Sequence, residues 1–538
     1  MNTLGFDFKD TWLTLNGLSF ALRLATAQNL YAPDPASVHI TSGTNQSRLD
    51  AARLCWAGGQ QTAPGSMSLR ISYDEKGIFS ISGHAGHEAE IGRSLVLLVR
   101  GLAVKHLVGE SENMPVTSVA PGKHAEVLSW PGRTATMPLV MIPCEGQPEA
   151  FALSRDTKVR RKCFSAYYDH LLCETILVLS HQEDAHVSVK RLELPLWEVG
   201  RGVKRSEVVG RRIGDLENVF GMKPFERHPE RQWVNDLKAV INLHGVHWTG
   251  HVYLTYAQQE EALREACRII PGKHVLAFLP AWEGRYYSRS PVMTPAPELG
   301  GAEGLKALVR TAHSLGAHII PMLCGPNLAD ESFLRKHGLM GARLKSEYGD
   351  GKVQNWIDWN SDLFYEKMGW LVNFGHPGFR DRHVRMCCQL MKEYGFDGVF
   401  LDGAIRWENC PDFSPYEGMK AWGEMIHKKF PGALLMGEDG YDLLWDIFGL
   451  FATFMQPLGL EQAMLRYTRQ SWYLAYPAPG GSGGIHEQAW FSPTANGLLE
   501  QYIIPTFSVV GDTLEKHGAE MKKALQKAAA WKPGNNPG

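Results

Sequence analysis

Short apolar runs alternate with helical patterns over the second half of the chain. From about residue 230, apolar runs such as 274–279, 317–323 and 396–401 follow segments in which apolar residues recur every three or four positions. Apolar strands separated by helices are typical of a parallel sheet that is buried on both faces. Four helix–turn–strand repeats are clear, and we predict an α/β fold with a (β/α)8 TIM barrel over residues 230–511.

The first part of the chain carries a different pattern. Runs such as 66–73, 78–81 and 186–192 alternate apolar with polar residues, and clusters of Gly, Pro, Asn and Asp separate them. This period of two is typical of antiparallel strands with one buried face. We therefore predict an N-terminal antiparallel β-sandwich domain over residues 1–215. A charged, alanine-rich segment, 512–538, is predicted to form a C-terminal helix and tail.

Two of the apolar runs end in a carboxylate. Phe396–Leu401 precedes Asp402, and Ala433–Gly437 precedes Glu438. If a strand near residues 244–249 is the first of the barrel, the two acids follow the fourth and fifth strands. Residues at the carboxyl ends of barrel strands surround the active-site mouth. We therefore expect the two acids to lie close together.

Two neighbouring carboxyl groups can cleave a glycosidic bond. One attacks or stabilises the anomeric carbon, while the other, in its protonated form, donates to the leaving oxygen. We predict a retaining glycoside hydrolase with Asp402 as nucleophile and Glu438 as acid/base residue, and with no cofactor and no metal. Asp402 could instead cap a helix or form an ion pair at the barrel rim. Asp439 or Asp442 could take the place of Glu438.

The same residues resemble a known group of enzymes. The stretch Asn373–Arg380, the helical pattern after it and the strand Phe396–Asp402 are similar to TIM-barrel glycoside hydrolases of the broad α-amylase and α-galactosidase groups. In those enzymes such a strand ends in the nucleophile. The resemblance implies an acid/base residue on the next strand, at Glu438, and an α-linked glycoside as substrate. The chain departs from the α-amylase pattern at Phe400, where that group has an arginine.

Aromatic and polar residues near the predicted strand ends are candidates for sugar binding. Aromatic rings offer flat apolar surfaces, and charged side chains form strong directed hydrogen bonds. The predicted substrate-binding residues are Trp282, Glu283, Arg285, Tyr286, Trp356, Asp358, Arg406, Trp407 and His486. Each of the tryptophans could equally be a packing residue.

Composition restricts the class of partner and the compartment. The 538 residues include 55 Lys and Arg against 57 Asp and Glu. This balance argues against a nucleic-acid partner, since nucleic-acid-binding proteins usually carry a basic patch. No run of about 20 apolar residues is present, so we expect no membrane partner, and the expected partner is an oligosaccharide or glycoside. Nine irregularly spaced cysteines and a polar start favour a cytoplasmic location, with a mature secreted form as the alternative.

Two other functions fit the same pattern. A barrel hydrolase or transglycosylase could pair Asp402 with a different acid, such as Glu283 or Glu487. A non-catalytic carbohydrate-binding protein could keep the barrel without its chemistry. In that case the Asp402 and Glu438 side chains would lie more than about 10 Å apart or would turn away from the mouth.

Overall fold

The chain forms two compact units. The first comprises Met1–Met222 with Met455–Glu461, and the second comprises Lys223–Phe454 with Gln462–Gly538. The computed structural model describes residues 11–108, 127–132, 134–246, 251–284, 291, 293–324, 328–355, 367–453, 461–473, 475–476, 490–491, 503–509 and 513–531.

Antiparallel strands make up most of the first unit. In chain order they are β1 (Leu13–Leu15), β2 (Leu18–Thr26), β3 (Leu30–Pro33), β4 (Val38–Ser42), β5 (Gln46–Trp56), β6 (Gln61–Tyr73), β7 (Ile78–His87), β8 (Gly92–Arg100), β9 (Leu128–Trp130), β10 (Leu139–Ile142), β11 (Ala150–Ser154), β12 (Lys162–Asp169), β13 (Glu174–Gln182) and β14 (Arg191–Arg201). They are hydrogen-bonded in the order β10-β11-β14-β7-β6-β5-β3-β2-β8-β13-β12-β9, with β1 on β2 and β4 on β5.

The two halves of this sheet pack face to face. Strand β3 pairs with β2 on one side and with β5 on the other, so it joins the halves. Phe20 of β2 lies 5.3 Å from Phe79 of β7, between ring centroids. Phe164 of β12 meets Trp197 of β14 edge-on at 5.8 Å. These contacts form an apolar core between two antiparallel layers, and the predicted β-sandwich is confirmed.

Two local features of the first unit differ from the predictions. The strand predicted at 186–192 begins only at Arg191, because the residues before it form a turn in which the Val187 amide donates to the Asp184 carbonyl. Helix α1 (Arg205–Asn218) closes the unit where no helix was predicted. It contains two interior glycines, which weaken the local helical signal.

A closed barrel of eight parallel strands forms the centre of the second unit. Its strands are β15 (Ala239–Leu243), β16 (Val275–Leu279), β17 (His318–Cys324), β20 (Gly398–Asp402), β21 (Leu434–Glu438), β22 (Leu450–Thr453), β23 (Arg469–Tyr473) and β26 (Ile503–Val509). Two small hairpins interrupt the series, one of β18 (Val353–Asn355) with β19 (Lys367–Trp370) and one of β24 (Ala475–Tyr476) with β25 (Trp490–Phe491). The predicted (β/α)8 barrel is confirmed.

The first barrel strand lies earlier than predicted. It is Ala239–Leu243, not a segment near 244–249. The chain leaves the barrel at Gly245, whose amide donates to the Pro280 carbonyl. A Cβ atom at Gly245 would stand 2.3 Å from the Ala281 carbonyl oxygen, so only glycine fits this close approach. The strand count is unchanged, and Asp402 and Glu438 end the fourth and fifth barrel strands.

Helices follow most of the barrel strands. They are α2 (Tyr256–Ile269), α3 (Gly301–Ser314), α4 (Glu331–Lys336), α5 (Pro377–Tyr394), α6 (Pro415–Lys429), α7 (Glu461–Leu465) and α8 (Thr513–Ala530). Gly395 ends α5 with φ +84°. The Ser414 side chain accepts a hydrogen bond from the Glu417 amide and so caps the start of α6. The end of α5 and the start of α6 therefore lie at local sequence signals. Lys238 Nζ donates to the Trp531 carbonyl at 2.7 Å and ties the end of α8 to the start of β15. Within the described ranges, no helix has the length and apolarity needed to cross a bilayer.

Apolar side chains fill the inside of the barrel. The buried cluster consists of Val240, Leu276, Phe278, Ile320, Met322, Phe400, Leu434, Met436, Leu450, Ala452 and Ile504, with Phe225, Val234 and Leu237 from the segment before β15. Trp233 of that segment stacks on His318, the first residue of β17, at 3.7 Å. We call residues 225–237 the plug, because they close the end of the barrel at which the strands begin.

Candidate active site

Asp402 and Glu438 end neighbouring strands at the same level along the barrel axis. The last residues that pair across β20 and β21 are Leu401 and Gly437, and the two acids follow them directly. Adjacent strands lie about 4.8 Å apart. The main chains of the two acids are therefore neighbours at the carboxyl end of the barrel.

Both acids project from the inward side of the barrel wall. Phe400 and Met436, two residues before Asp402 and Glu438 respectively, belong to the barrel's internal cluster. Side chains of a strand alternate between its two faces. The acids therefore share the inward face, one layer above the apolar filling, at the end of the barrel where active sites are built.

A hydrogen bond links Glu438 to the turn after Asp402. The amide of Gly403 donates to Glu438 Oε2 at 2.9 Å. Asp402 is 8% exposed, and Glu438 is half-buried. Gly403 has φ +62°, a left-handed conformation that glycine adopts without strain. The backbone beside one catalytic candidate thus holds the carboxylate of the other.

Gly437 lets this turn approach β21 closely. A Cβ atom at Gly437 would lie 3.0 Å from Ala404 Cβ and 3.0 Å from the ring of Phe451. Either contact is tighter than ordinary side-chain packing allows. The absence of a side chain at this position therefore lets the Asp402 turn rest on the strand that carries Glu438.

Asp439 and Asp442 stand beside this pair and are buried. Asp439 is 2% exposed and has φ +50°, which is strained for a residue with a side chain. Asp442 is fully buried, and its Oδ1 accepts the Leu443 amide. Glu438 is more exposed than either, and its carboxylate is hydrogen-bonded to the turn after Asp402. Its access and this contact favour Glu438 as the partner of Asp402.

Polar residues on the far side of the barrel extend the same layer. Asn242 of β15 is 1% exposed, and its Nδ2 donates to Ser508 Oγ of β26 at 3.3 Å. His244 follows β15, is 1% exposed and meets Tyr253 edge-on at 5.7 Å. The sequence predictions missed these residues. The sequence does contain a signal for them, the polar residue Asn242 inside the apolar run 239–243. The prediction missed it because it placed the first barrel strand near 244–249.

Trp282 is a packing residue of the barrel. Its side chain is 1% exposed, its Nε1 donates to the Met322 carbonyl at 2.8 Å, and its ring meets Phe396 edge-on at 6.2 Å. Such burial leaves no face of the indole for a sugar. We therefore leave Trp282 out of the proposed substrate surface, which corrects the role expected for it.

Three other predicted sugar-binding residues lie in loops that follow barrel strands. Glu283 follows β16 and is half-buried. Arg406 is half-buried, and its amide donates to the Gly403 carbonyl in the turn after Asp402. Trp407 is 8% exposed beside it. Their binding roles stay predictions.

The remaining predicted residues lie outside the described ranges. These are Arg285, Tyr286, Trp356, Asp358 and His486, together with the alternative acid Glu487. In the part of the chain that is described, no group of three or more His, Cys, Asp or Glu side chains is arranged to hold a metal ion.

No protein-family model and no curated protein sequence matches the chain. Solved structures match its fold. The ligand-free alpha-N-acetylgalactosaminidase from Bifidobacterium bifidum is 11% identical, with a TM-score of 0.63 over 96% of this chain and 93% of that chain. The same enzyme in complex with GalNAc gives 0.61 at 11% identity, over 88% and 86%. An alpha-galactosidase from Lactobacillus brevis gives 0.50 at 10% identity, over 95% and 72%. The chain therefore has the fold of TIM-barrel glycoside hydrolases that carry an N-terminal β-sandwich.

Proposed function

We propose that this chain is a retaining glycoside hydrolase that acts on an α-linked glycoside. The observation that carries the proposal is the placement of Asp402 and Glu438, which end adjacent strands in register on the inward face of the barrel. Neighbouring strands are compatible with the separation of about 5–5.5 Å between the carboxyl groups of retaining enzymes. The fold it shares with known glycosidases supports the same assignment.

In the first step, Asp402 attacks the anomeric carbon while Glu438 donates its proton to the glycosidic oxygen. The bond between these two sugar atoms breaks, the aglycone leaves as an alcohol, and the sugar is held as an ester of Asp402. In the second step, Glu438 takes a proton from water as the water oxygen attacks the same carbon. The ester bond breaks, and the sugar leaves with its original anomeric configuration.

The hydrogen bond from Gly403 suits Glu438 to this role. It engages Oε2 and so fixes the orientation of the carboxyl group, and Oε1 is the oxygen to which we assign the transferred proton. A catalytic group that is already oriented avoids the entropy loss of finding its position during the reaction. Asp402, on the neighbouring strand end, is equally restricted because its side chain is largely buried.

We propose an α-linked galactose or N-acetylgalactosamine residue as the substrate. The support is the nature of the structural neighbours, which are an alpha-N-acetylgalactosaminidase and an alpha-galactosidase. Glu283 and Arg406 are the described polar residues that we propose for contacts with the sugar hydroxyls. Both are half-buried and follow the carboxyl ends of barrel strands.

A panel of nitrophenyl α- and β-glycosides tests the proposal. We expect hydrolysis of the α-galactoside or the α-N-acetylgalactosaminide, and we expect Asp402→Asn to lower kcat by about 10³-fold or more, since it removes the nucleophile. Asp236→Asn is the matched control, because Asp236 is an exposed residue of the plug, at the opposite end of the barrel. NMR of the first product should show the α-anomer.

Three results would contradict the proposal. Full turnover by Asp402→Asn would place the nucleophile elsewhere, for example in a site that pairs Glu283 or Glu487 with another acid. A β-anomer as the first product would indicate inversion. Binding of the sugars without hydrolysis of any glycoside in the panel would favour the non-catalytic carbohydrate-binding protein.

A further inference from the structure

A polar cleft opens on the outer face of the N-terminal sheet, in the unit that does not contain the barrel. Its volume is about 620 Å³, within the range of roughly 300–1,000 Å³ that small-molecule sites occupy. Strands β4 to β7 supply most of its lining, including Thr41, Arg48, Arg70, Ser72, Ser80 and Ser82. No aromatic side chain is among the lining residues that the structure describes. Recognition here must therefore rest on charge and hydrogen bonds.

Two arginines stand directly opposite each other in this cleft. The pairing of four strands places Thr41 against Arg48, Arg48 against Arg70, and Arg70 against Ser82, so that these residues form one continuous row. Leu49 and Leu69, which alternate with the arginines, are buried in the core, so the row faces outwards. Like charges that are directly opposite on neighbouring strands are destabilising. One carboxylate, that of Asp50, interacts with both guanidinium groups, so the row keeps an excess of one positive charge.

The positive charge of the row is only partly neutralised. Arg48 Nη2 donates to Asp50 Oδ1 at 2.7 Å. Arg70 is exposed and has no described carboxylate within ion-pair distance, although its charge interacts with the same Asp50. The next row adds hydroxyl and amide groups, because Gln46 pairs with Ser72 and Ser72 pairs with Ser80. The cleft thus combines two guanidinium groups, which share one carboxylate, with several groups that can bind sugar hydroxyls.

We propose that this cleft binds a saccharide that carries a sulfate or carboxylate group. The guanidinium of Arg70, with that of Arg48 opposite, meets the oxyanion through paired N–H donors, a geometry that arginine provides. The serine and glutamine side chains meet the hydroxyl groups of the ring. The cleft is far larger than a bare ion requires, which favours an anionic sugar over an inorganic anion. The site is separate from the barrel acids and does not depend on their function.

Calorimetric titration of the full chain tests this site. The probes are glucose 6-sulfate and glucuronate, compared with glucose and inorganic sulfate at low ionic strength. We expect at least one charged sugar to bind, and Arg70→Gln to weaken that binding roughly tenfold to a hundredfold, the size of a lost charge-assisted hydrogen bond. Arg191→Gln is the control, since Arg191 is an exposed arginine on β14 of the same sheet that does not line the cleft. The sugar that binds more tightly identifies the anionic group.

Four outcomes would overturn the proposal. They are the absence of binding by both charged sugars, equal binding of glucose, equal binding of inorganic sulfate, and unchanged binding by Arg70→Gln. The Tm of Arg70→Gln provides a separate check. We expect it to be unchanged or raised, because the substitution removes a like-charge pair. A Tm lowered by several degrees would assign Arg70 to folding instead. Hydrolysis of aryl glycosides by this variant reports on the barrel independently.

Discussion

The carboxylate of Glu438 accepts a hydrogen bond from the amide of Gly403, the residue that follows Asp402. The Glu438 side chain is therefore hydrogen-bonded to the main chain of the turn that follows the neighbouring strand. This contact couples the positions of the two carboxylates through main chain, which is more rigid than a pair of free side chains.

Replacing Glu438 with glutamine should separate the two chemical steps. The amide introduced by Glu438→Gln cannot act as an acid toward the leaving oxygen, so glycosides with poor leaving groups should lose about 10²–10⁴-fold in kcat/KM. A dinitrophenyl glycoside, whose leaving group needs no proton, should lose far less. Comparison of kcat/KM for the two substrates measures the effect. Glu261→Gln, an exposed change on α2, should leave both values unchanged. Equal losses for both substrates would remove Glu438 from the role of proton donor.

Gly437→Ala should lower both the stability and the activity of the protein without replacing either acid. The new methyl group would meet Ala404 and Phe451 at 3.0 Å, so the turn after Asp402 must move away from β21. We expect a loss of about 1–3 kcal/mol in unfolding free energy and a fall in kcat that could reach about 10²-fold. Gly210→Ala in α1 is the control, because nothing lies within 4 Å of its new Cβ atom. That variant should be neutral or slightly stabilised. Wild-type kcat in Gly437→Ala would show that the close approach is unimportant.

His427 should make the second unit sensitive to mild acid. Burial and, after it, the charge of Arg231 lower the pKa of His427 to about 4, while an unfolded chain titrates near 6.5. The unfolded state therefore binds more protons between these values, and stability falls as the pH drops through this window, by up to ~1.4 kcal/mol per unit. Urea unfolding at pH 5 and pH 7 measures the difference.

His427→Gln should reduce this difference in stability between pH 5 and pH 7. Glutamine keeps an N–H donor for the Ala433 carbonyl, which lies 3.2 Å from His427 Nε2, but it does not titrate. His251→Gln, at an exposed position of the same unit, should leave the difference unchanged. The same pH dependence in His427→Gln and in the wild type would assign the acid sensitivity to another group.

Phe225→Ala should destabilise the barrel from the end opposite the acids. Phe225 is fully buried in the internal cluster, and the guanidinium of Arg469 lies 4.2 Å from its ring centroid. Removal of a buried phenylalanine side chain costs about 3–5 kcal/mol. Tyr348→Ala, at a residue that is 76% exposed, should cost almost nothing. Thermal unfolding distinguishes the two variants. A Tm equal to that of the wild type would mean that the plug does not stabilise the barrel.

The sequence predicted the features that depend on local signals. The strand before Asp402 is preceded by a helix that ends at Gly395, and the strand before Glu438 is preceded by Pro431 and Gly432, so each strand could be located from its neighbours. The order of these strands along the chain then placed the acids fourth and fifth. The parallel barrel follows from the same alternation of helix and strand.

Features that depend on distant contacts could not be predicted. The first barrel strand ends where Gly245 meets the loop at Ala281, a contact between segments about 36 residues apart that no local pattern shows. The burial of Trp282 depends likewise on Met322 and Phe396. Asn242 lies near Ser508 only because the barrel closes between its first and last strands.

The plug closes the barrel at the end opposite Asp402 and Glu438. The apolar side chains that the structure describes fill the barrel and leave no path along its axis from the plug to the acids. In the mechanism that we propose, water for the second step must therefore enter at the carboxyl ends of the strands, where the first product also leaves. The aglycone then has to leave before water can attack, and an alcohol that stays in the site competes with water for the sugar.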